Sequence, residues 1–176
     1  MKGRTALIFI ASFFLFSFAK VSKTGKEKIQ WLTIEEAQAK VEIESKPVLI
    51  DLFTSWCYWC KVMDKKTYSN SKVIDYINKH FYAVKLNAET KEKLRWNKKE
   101  YIFTPANKLN EFSVYITDGQ LSFPTTVIFP DIKKSPAAIP GFMEPKDIEA
   151  VLKYFGEGNY KTQNFEEFAK HFKNEW

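Results

Sequence analysis

Alternating blocks of apolar and polar residues predict a mixture of helices and strands along this chain. Apolar residues at helical spacing predict helices over 33–45, 57–68, from 71 onward, 107–117, 144–155 and after 164. Short apolar runs rich in β-formers predict strands over 47–53, 81–86, 101–103, 125–129 and 137–139. This order is typical of an α/β domain in which helices cover both faces of a mixed sheet.

Capping and turn residues define several helix ends. Thr33 and Glu36 have the spacing of a capping box at the first helix. Pro145 suits a first helical turn, and Gly156 is expected just beyond the end of that helix. Asn164 is expected to cap the last helix.

Two stretches are predicted to lie at the periphery of the domain. Residues 89–100 are strongly charged and are interpreted as a surface excursion. They begin a longer excursion, 89–121, that either shapes a surface for a partner or is simply solvated. The strand over 137–139 lies between Pro136 and Pro140, as expected at a sheet edge. The last helix, in contrast, is expected to dock on the core through Phe165, Phe168 and Phe172.

The N-terminus has the pattern of a secretory signal. Lys2 and Arg4 precede fourteen uncharged residues, 6–19, which end in small residues suited to cleavage. We therefore expect a signal peptide over 1–19, or an N-terminal anchor if it is not cleaved, a linker over 20–30 and one domain over 31–176. The protein is then periplasmic or secreted, and membrane-anchored if the segment is retained.

Composition indicates a compact domain and argues against a nucleic-acid partner. Of 176 residues, 45% are hydrophobic and 16% aromatic. The net charge of +6 comes almost wholly from lysine, since Arg4 and Arg95 are the only arginines. Arginine is the residue favoured for bidentate recognition of phosphate and guanine. We expect a monomer that binds no nucleic acid.

Cys57 and Cys60 are the only cysteines, and two residues separate them where a predicted strand meets a helix. This spacing suits dithiol chemistry, because one thiolate can attack a disulfide while the other completes the exchange. The helix N-terminus favours the thiolate of Cys57, which is expected to be exposed, whereas Cys60 should be covered. A purely structural disulfide would close a small loop and stabilise little.

A metal half-site is the alternative for this pair. Zinc requires four ligands, and the two histidines, His80 and His171, lie far away in sequence. No metal or other cofactor is expected, although a site shared between two chains stays open.

Three further residues are candidates for the same chemistry. Asp51 lies within a buried strand, which is costly for an acid unless it is paired or functional. Lys85, in a neighbouring strand, is its expected partner, and the two could move a proton through water. The alternative is an exposed Asp51 with a solvated Lys85. Pro124 opens a strand, either as a loop terminator or as a cis-proline.

Together these residues resemble the thioredoxin superfamily over roughly residues 31–155. The resemblance rests on Trp-Cys-x-x-Cys-Lys at 56–61, Asp51, Lys-Leu-Asn at 85–87 and Phe-Pro-Thr-Thr at 123–126. Residues 60–69, Cys-Lys-Val-Met-Asp-Lys-Lys-Thr-Tyr-Ser, resemble exported bacterial members of that superfamily. The resemblance implies a thioredoxin fold with an insertion before the cis-proline strand and an extra C-terminal helix.

The resemblance also implies residue roles. Cys57 would be the nucleophile, Cys60 the resolving cysteine and Pro124 the cis-proline, while Asp51 and Lys85 would form the buried acid and its partner. Trp56 would shield the site. Further contacts to substrate are expected from Tyr58, Trp59 and Phe123.

The function implied is a thiol:disulfide oxidoreductase that reduces protein disulfides and receives electrons from a membrane thiol donor. Tyr58-Trp59 is not the dipeptide of cytosolic thioredoxin or of strong oxidants, and this dipeptide tunes the redox potential. A thiol oxidase or isomerase of the same fold, and a copper- or zinc-binding module, are the alternatives.

Overall fold

A computed structural model describes residues 28–176 of the chain. The signal peptide or anchor predicted over 1–19, and most of the predicted linker, lie outside the described residues. The strands are β1 (Trp31–Leu32), β2 (Val48–Phe53), β3 (Tyr82–Asn87), β4 (Leu94–Trp96), β5 (Lys99–Tyr101), β6 (Phe103–Thr104), β7 (Leu109–Asn110), β8 (Thr125–Phe129) and β9 (Ala137–Pro140). The helices are α1 (Ile34–Ile43), α2 (Tyr58–Lys66), α3 (Ser71–His80), α4 (Glu111–Ile116), α5 (Pro145–Gly156) and α6 (Phe165–His171).

A five-stranded mixed sheet in the order β1-β3-β2-β8-β9 forms the centre of the domain. Strands β1 and β2 run parallel to β3, whereas β8 is antiparallel to both β2 and β9. The register places Asp51 between Lys85 on one side and Thr126 on the other. The predicted mixed sheet is therefore confirmed, with β9 at an edge as expected.

Hydrophobic cores lie on both faces of this sheet. One core includes Met63 of α2, Ile77 of α3 and Leu152 of α5. The other includes Ile34 of α1 and Phe112 of α4. Because helices cover both faces, β2 is buried along nearly its whole length, which explains its continuous apolar sequence.

The predicted capping residues lie at real helix ends, with one exception. Thr33 and Glu36 form the capping box of α1, and the side chain of Asn164 accepts a hydrogen bond from the backbone N–H of Glu167. The expectation for Gly156 is wrong, because this residue is the last of α5. A Cβ there would lie 3.0 Å from the Tyr76 hydroxyl, a close approach that favours glycine at this position.

The charged stretch 89–100 is largely exposed, as its composition predicted, but it also contributes two buried side chains. It forms a hairpin of β4 and β5 whose Leu94 and Trp96 are buried. The Trp96 ring lies 4.7 Å from that of Phe129 and 5.7 Å from that of Phe112, so the hairpin covers one face of the sheet. Charged residues alternate with these apolar ones and therefore face outward.

Two boundaries in the insertion differ from the prediction. The strand expected over 101–103 is divided between the end of β5 and β6, and neither joins the central sheet. The helix expected from Asn107 begins only at Glu111, because Asn110 pairs with Phe103 in a short ladder and then caps α4.

Docking of the last helix on the core is only partly confirmed. Phe168 packs against the core, but Phe165 is 41% exposed and no residue of α6 is fully buried. The helix has seven residues and rests on α5 through ring contacts of Phe165 and Phe168 with Tyr154. Among the described residues, no helix combines the length and apolar character needed to cross a bilayer.

Candidate active site

The two cysteines lie at the junction of β2 and α2. Cys57 is the N-cap of α2, and its sulfur accepts a hydrogen bond from the backbone N–H of Cys60 at 3.0 Å. The two residues are joined by a disulfide. Cys57 therefore lies at the positive end of the helix dipole, where a thiolate is stabilised.

The expectation that Cys57 is exposed is wrong in this oxidised form. Its exposed fraction is 4%, close to the 5% of Cys60. The physical reason is its capping role: the side chain turns back toward the N–H of Cys60 instead of extending into solvent.

Five aromatic residues, which we call the aromatic collar, either flank the cysteines in the chain or pack on residues that do: Trp56, Tyr58, Trp59, Phe123 and Phe142. The rings of Trp56 and Phe123 meet edge to face at 5.9 Å, and those of Trp59 and Phe142 lie 5.5 Å apart. Tyr58 packs edge to face on Trp59 at 5.5 Å. Trp56, Tyr58 and Trp59 are 66%, 69% and 54% exposed, so the collar is an unusual concentration of exposed aromatic surface.

Phe142 is a residue that the sequence reasoning missed. It comes directly after Gly141, whose backbone N–H donates to the carbonyl of Pro124 at 2.8 Å. This hydrogen bond places the segment after β9 beside the start of β8. The sequence gives only a weak signal for this residue, because Phe142 lies far from the cysteines along the chain.

Pro124 is buried immediately before β8. The Phe123–Pro124 peptide bond is cis. The residue before this proline, Phe123, contacts Trp56, which directly precedes Cys57 in the chain.

Asp51 is buried, with 2% of its surface exposed, and its carboxylate lies 2.9 Å from the Lys85 ammonium. The alternative of an exposed Asp51 with a solvated Lys85 is therefore wrong. Burial raises the pKa of Asp51 from its ordinary value of 3.8 to about 6, although the charge of Lys85 opposes this shift. Asp51 can therefore gain and lose a proton near neutral pH.

Lys85 contacts a second carboxylate, that of Asp64 on α2. Its ammonium also lies 5.2–5.8 Å from the ring centroids of Phe53, Trp31 and Tyr68. Attraction to the two carboxylates outweighs desolvation and raises the pKa of Lys85, so the ammonium stays charged. The sequence reasoning paired Lys85 with Asp51 but missed Asp64.

Asp64 connects the buried pair to α2, the helix that carries Cys60. It follows Cys60 by four residues on α2, so the two side chains lie on the same helix face. A cavity of about 450 Å³, lined in part by Trp31, Asp64 and Lys85, opens beside this network. No local sequence signal indicates the contact between Asp64 and Lys85, because α2 and β3 are brought together only by the tertiary fold.

No group of three or more histidine, cysteine or acidic side chains within residues 28–176 is arranged to hold a metal ion. The Cys57–Cys60 pair has the arrangement needed for thiol–disulfide exchange. Asp51 is a buried titratable acid in β2, the strand that leads to the pair.

Comparison with known proteins gives one family match that covers most of the chain. A family model named Thioredox_DsbH, with the description "Protein of unknown function, DUF255", matches residues 16–157. Among curated proteins, the thiol:disulfide interchange protein DsbD of Campylobacter jejuni is 25% identical over 114 residues. That match covers 65% of this chain and 17% of the relative, so the chain spans about a sixth of the relative's length.

Two solved structures share the fold. A structure described as "DsbH Oxidoreductase" has a TM-score of 0.55 at 15% identity, covering 80% of this chain and 93% of that one. A thioredoxin-fold protein from Helicobacter pylori has a TM-score of 0.52 at 23% identity, covering 71% of this chain and 78% of that one. These likenesses show the thioredoxin fold.

Proposed function

Since the chain belongs to the Thioredox_DsbH (DUF255) family, we propose that it is a thiol:disulfide oxidoreductase that reduces protein disulfides. The observation that carries this proposal is the placement of the Cys57–Cys60 pair at the N-terminus of α2. This placement favours a thiolate at Cys57 and keeps Cys60 within bonding distance.

The proposed reaction begins with the reduced protein. The Cys57 thiolate attacks one sulfur of a substrate disulfide, forms a mixed disulfide and displaces the other substrate sulfur as a thiolate. Cys60 then loses its proton and attacks the Cys57 sulfur, which releases the second substrate sulfur. Two electrons have passed to the substrate, and the protein holds the Cys57–Cys60 disulfide.

Asp51 is proposed as the group that accepts the Cys60 proton, through water, and later returns it. Its pKa of about 6 supports this role, because a proton acceptor works best when its pKa is near the working pH. Lys85 holds the carboxylate, and Asp64 links Lys85 to the helix that carries Cys60.

Substrate contact is proposed at the aromatic collar and at the backbone around Pro124. Three collar residues, Trp56, Tyr58 and Trp59, are largely exposed beside the reacting sulfurs, which is typical of a surface that a partner covers. We also propose that residues 1–19 direct export or anchor the protein, with 20–30 as a linker and 31–176 as the domain. An exported reductase needs an external electron source, for which a membrane thiol donor is proposed.

Insulin reduction with dithiothreitol tests the proposed activity. Wild-type protein should accelerate precipitation of the insulin B chain, and Cys57→Ser should reduce the rate to background. Cys60→Ser should instead accumulate a mixed disulfide with the substrate, because the resolving thiolate is missing. If the wild-type protein reduces insulin no faster than Cys57→Ser, the proposed oxidoreductase activity is wrong.

The reduction potential of the pair tests the direction of electron flow. A value close to about −270 mV in a dithiol buffer is expected for a reductase, whereas a value near about −120 mV would make the protein an oxidant. Stoichiometric copper or zinc in the purified reduced protein would instead favour the metal-binding alternative.

A further inference from the structure

The indole of Trp56 is tied to the insertion by a single hydrogen bond. Its Nε1–H donates to the carboxylate Oε1 of Glu89 at 3.1 Å, while the ring meets Phe123 edge to face. We propose that Glu89 is a positioning residue, which acts through Trp56 to hold the aromatic collar ready for a protein substrate. This inference rests on the proposed function and assigns a role to the 89–121 insertion.

The turn that carries Glu89 is itself held in place. The backbone N–H of Glu89 donates to the side-chain carbonyl of Asn87 at 2.9 Å, at the end of β3. The Asn110 side-chain amide donates to the carbonyls of Thr90 and Glu92, at 3.3 and 3.0 Å. The turn over residues 87–92 therefore has little freedom to move Glu89.

Asn110 connects this turn to the body of the insertion. It is fully buried, its backbone N–H donates to the carbonyl of Ala88 at 2.8 Å, and its side chain caps α4. The buried Asn110 side chain thus joins α4 to the turn. Glu89, on the same turn, then holds Trp56, the residue directly before Cys57.

The expected benefit is a lower entropy cost of binding. Trp56 is 66% exposed, so without the bond to Glu89 its side chain is free to sample other rotamers. A protein substrate that covers Trp56 must then immobilise it, which weakens binding by about two- to tenfold. A small dithiol reaches the sulfurs without covering the indole, so its reaction rate does not depend on whether Trp56 is already immobilised.

The test compares Glu89→Ala, Glu89→Gln and Glu92→Ala in insulin reduction and in direct reduction by dithiothreitol. Glu89→Ala should raise the KM for insulin about two- to tenfold with little change in kcat. The rate constant for reduction of the Cys57–Cys60 disulfide by dithiothreitol should stay within twofold. Glu89→Gln keeps an acceptor oxygen and should restore the wild-type KM. Glu92→Ala removes the same charge from the same turn and should have no effect.

A Trp56→Phe background shows whether the effect passes through the indole. Phenylalanine cannot donate to Glu89, so adding Glu89→Ala there should leave the KM for insulin unchanged. An equal effect in that background, an unchanged KM in Glu89→Ala alone, or an equal effect of Glu92→Ala would overturn the proposal.

The indole N–H signal of Trp56 in a ¹H–¹⁵N spectrum separates this inference from the proposed activity. Hydrogen exchange of that proton should accelerate in Glu89→Ala but not in Glu89→Gln. If the wild-type protein fails to reduce insulin but shows this exchange pattern, the proposed activity is wrong and the contact between Glu89 and Trp56 still stands. If hydrogen exchange of the Trp56 indole proton is unchanged in Glu89→Ala, the positioning role of Glu89 is wrong, whether or not the protein reduces insulin.

Discussion

Two buried carboxylates, Asp51 and Glu149, each pair with a lysine, but their surroundings differ. Asp51 is 2% exposed and lies 2.9 Å from Lys85, and Glu149 is 0% exposed and lies 3.0 Å from Lys153. By burial and ion pairing alone they would be indistinguishable.

Hydrogen bonding separates them. The Glu149 carboxylate accepts from the backbone N–H groups of Glu175 and Trp176 at 2.9–3.0 Å, in addition to its lysine. Within residues 28–176, Asp51 has hydrogen bonding from Lys85 alone. The buried charge of Glu149 is compensated by these bonds, which also fasten the chain after α6 to α5. The buried charge of Asp51 has fewer compensating bonds, and the pKa of Asp51 is raised to about 6. Burial of an acid therefore indicates function only when the bonds that would satisfy its charge are lacking.

The largest expected effect is on stability and comes from Glu149. Glu149→Gln removes the charge that Lys153 and two backbone N–H groups face, so the free energy of unfolding should fall by about 3 kcal/mol. Urea unfolding monitored by circular dichroism measures this change. Insulin reduction per folded molecule should be unchanged, and a matched loss of activity would contradict the purely structural role. Glu166→Gln, in an exposed pair with Lys170, is the control and should leave stability unchanged.

Asp51→Asn should act in the opposite direction on stability. The pKa of Asp51 is higher in the folded than in the unfolded protein, so the native state binds the extra proton between pH of about 4 and 6. Stability contributed by that proton is present at low pH and is lost as pH rises through about 6. The substitution should therefore stabilise the protein by about 1–3 kcal/mol at pH 8, and by about 1 kcal/mol or less at pH 4.5.

The same variant should be a poorer enzyme. Without a proton acceptor for Cys60, resolution of the mixed disulfide should slow by about tenfold or more. Urea unfolding at the two pH values and single-turnover insulin reduction measure the two effects. If Asp51→Asn destabilises the protein at pH 8, or resolves the mixed disulfide at the wild-type rate, then Asp51 has a structural role like that of Glu149.

The smallest effect is expected from Asp64→Asn. The Asp64 side chain is 43% exposed, so solvent screens its pair with Lys85 and stability should change by less than about 1 kcal/mol. The negative charge of Asp64 contributes to the raised pKa of Asp51, so this pKa should fall in the variant. Carboxyl ¹³C titration measures the shift, and a rise instead would mean that Asp64 mainly acts by orienting Lys85.

Local patterns were enough to predict much of the fold. The capping box at Thr33 and Glu36 and the apolar run of β2 depend on neighbours in sequence, and both are confirmed. The burial of Trp96 was not predicted, because it lies within a stretch whose charged composition favoured the surface. Only the alternation of apolar and charged residues in β4 indicated that one side of the hairpin is buried.

The candidate site was predictable where short spacings define it. The cysteine pair and the pairing of Asp51 with Lys85 followed from motif and strand order. Phe142 and Glu149 could not be identified, because their partners lie on segments that only the tertiary fold brings together. The burial of Cys57 was missed for a related reason, since it depends on the direction in which a capping side chain turns.

The two outer strands of the central sheet have a consequence for behaviour at high concentration. Strand β1 has only two residues, and β9 ends in Pro140, which has no backbone N–H to offer. Within residues 28–176, neither edge of this sheet presents a long row of free backbone groups on which a second chain could form a further strand. The molecule can therefore expose an aromatic surface around its sulfurs while its sheet edges resist growth into fibrils.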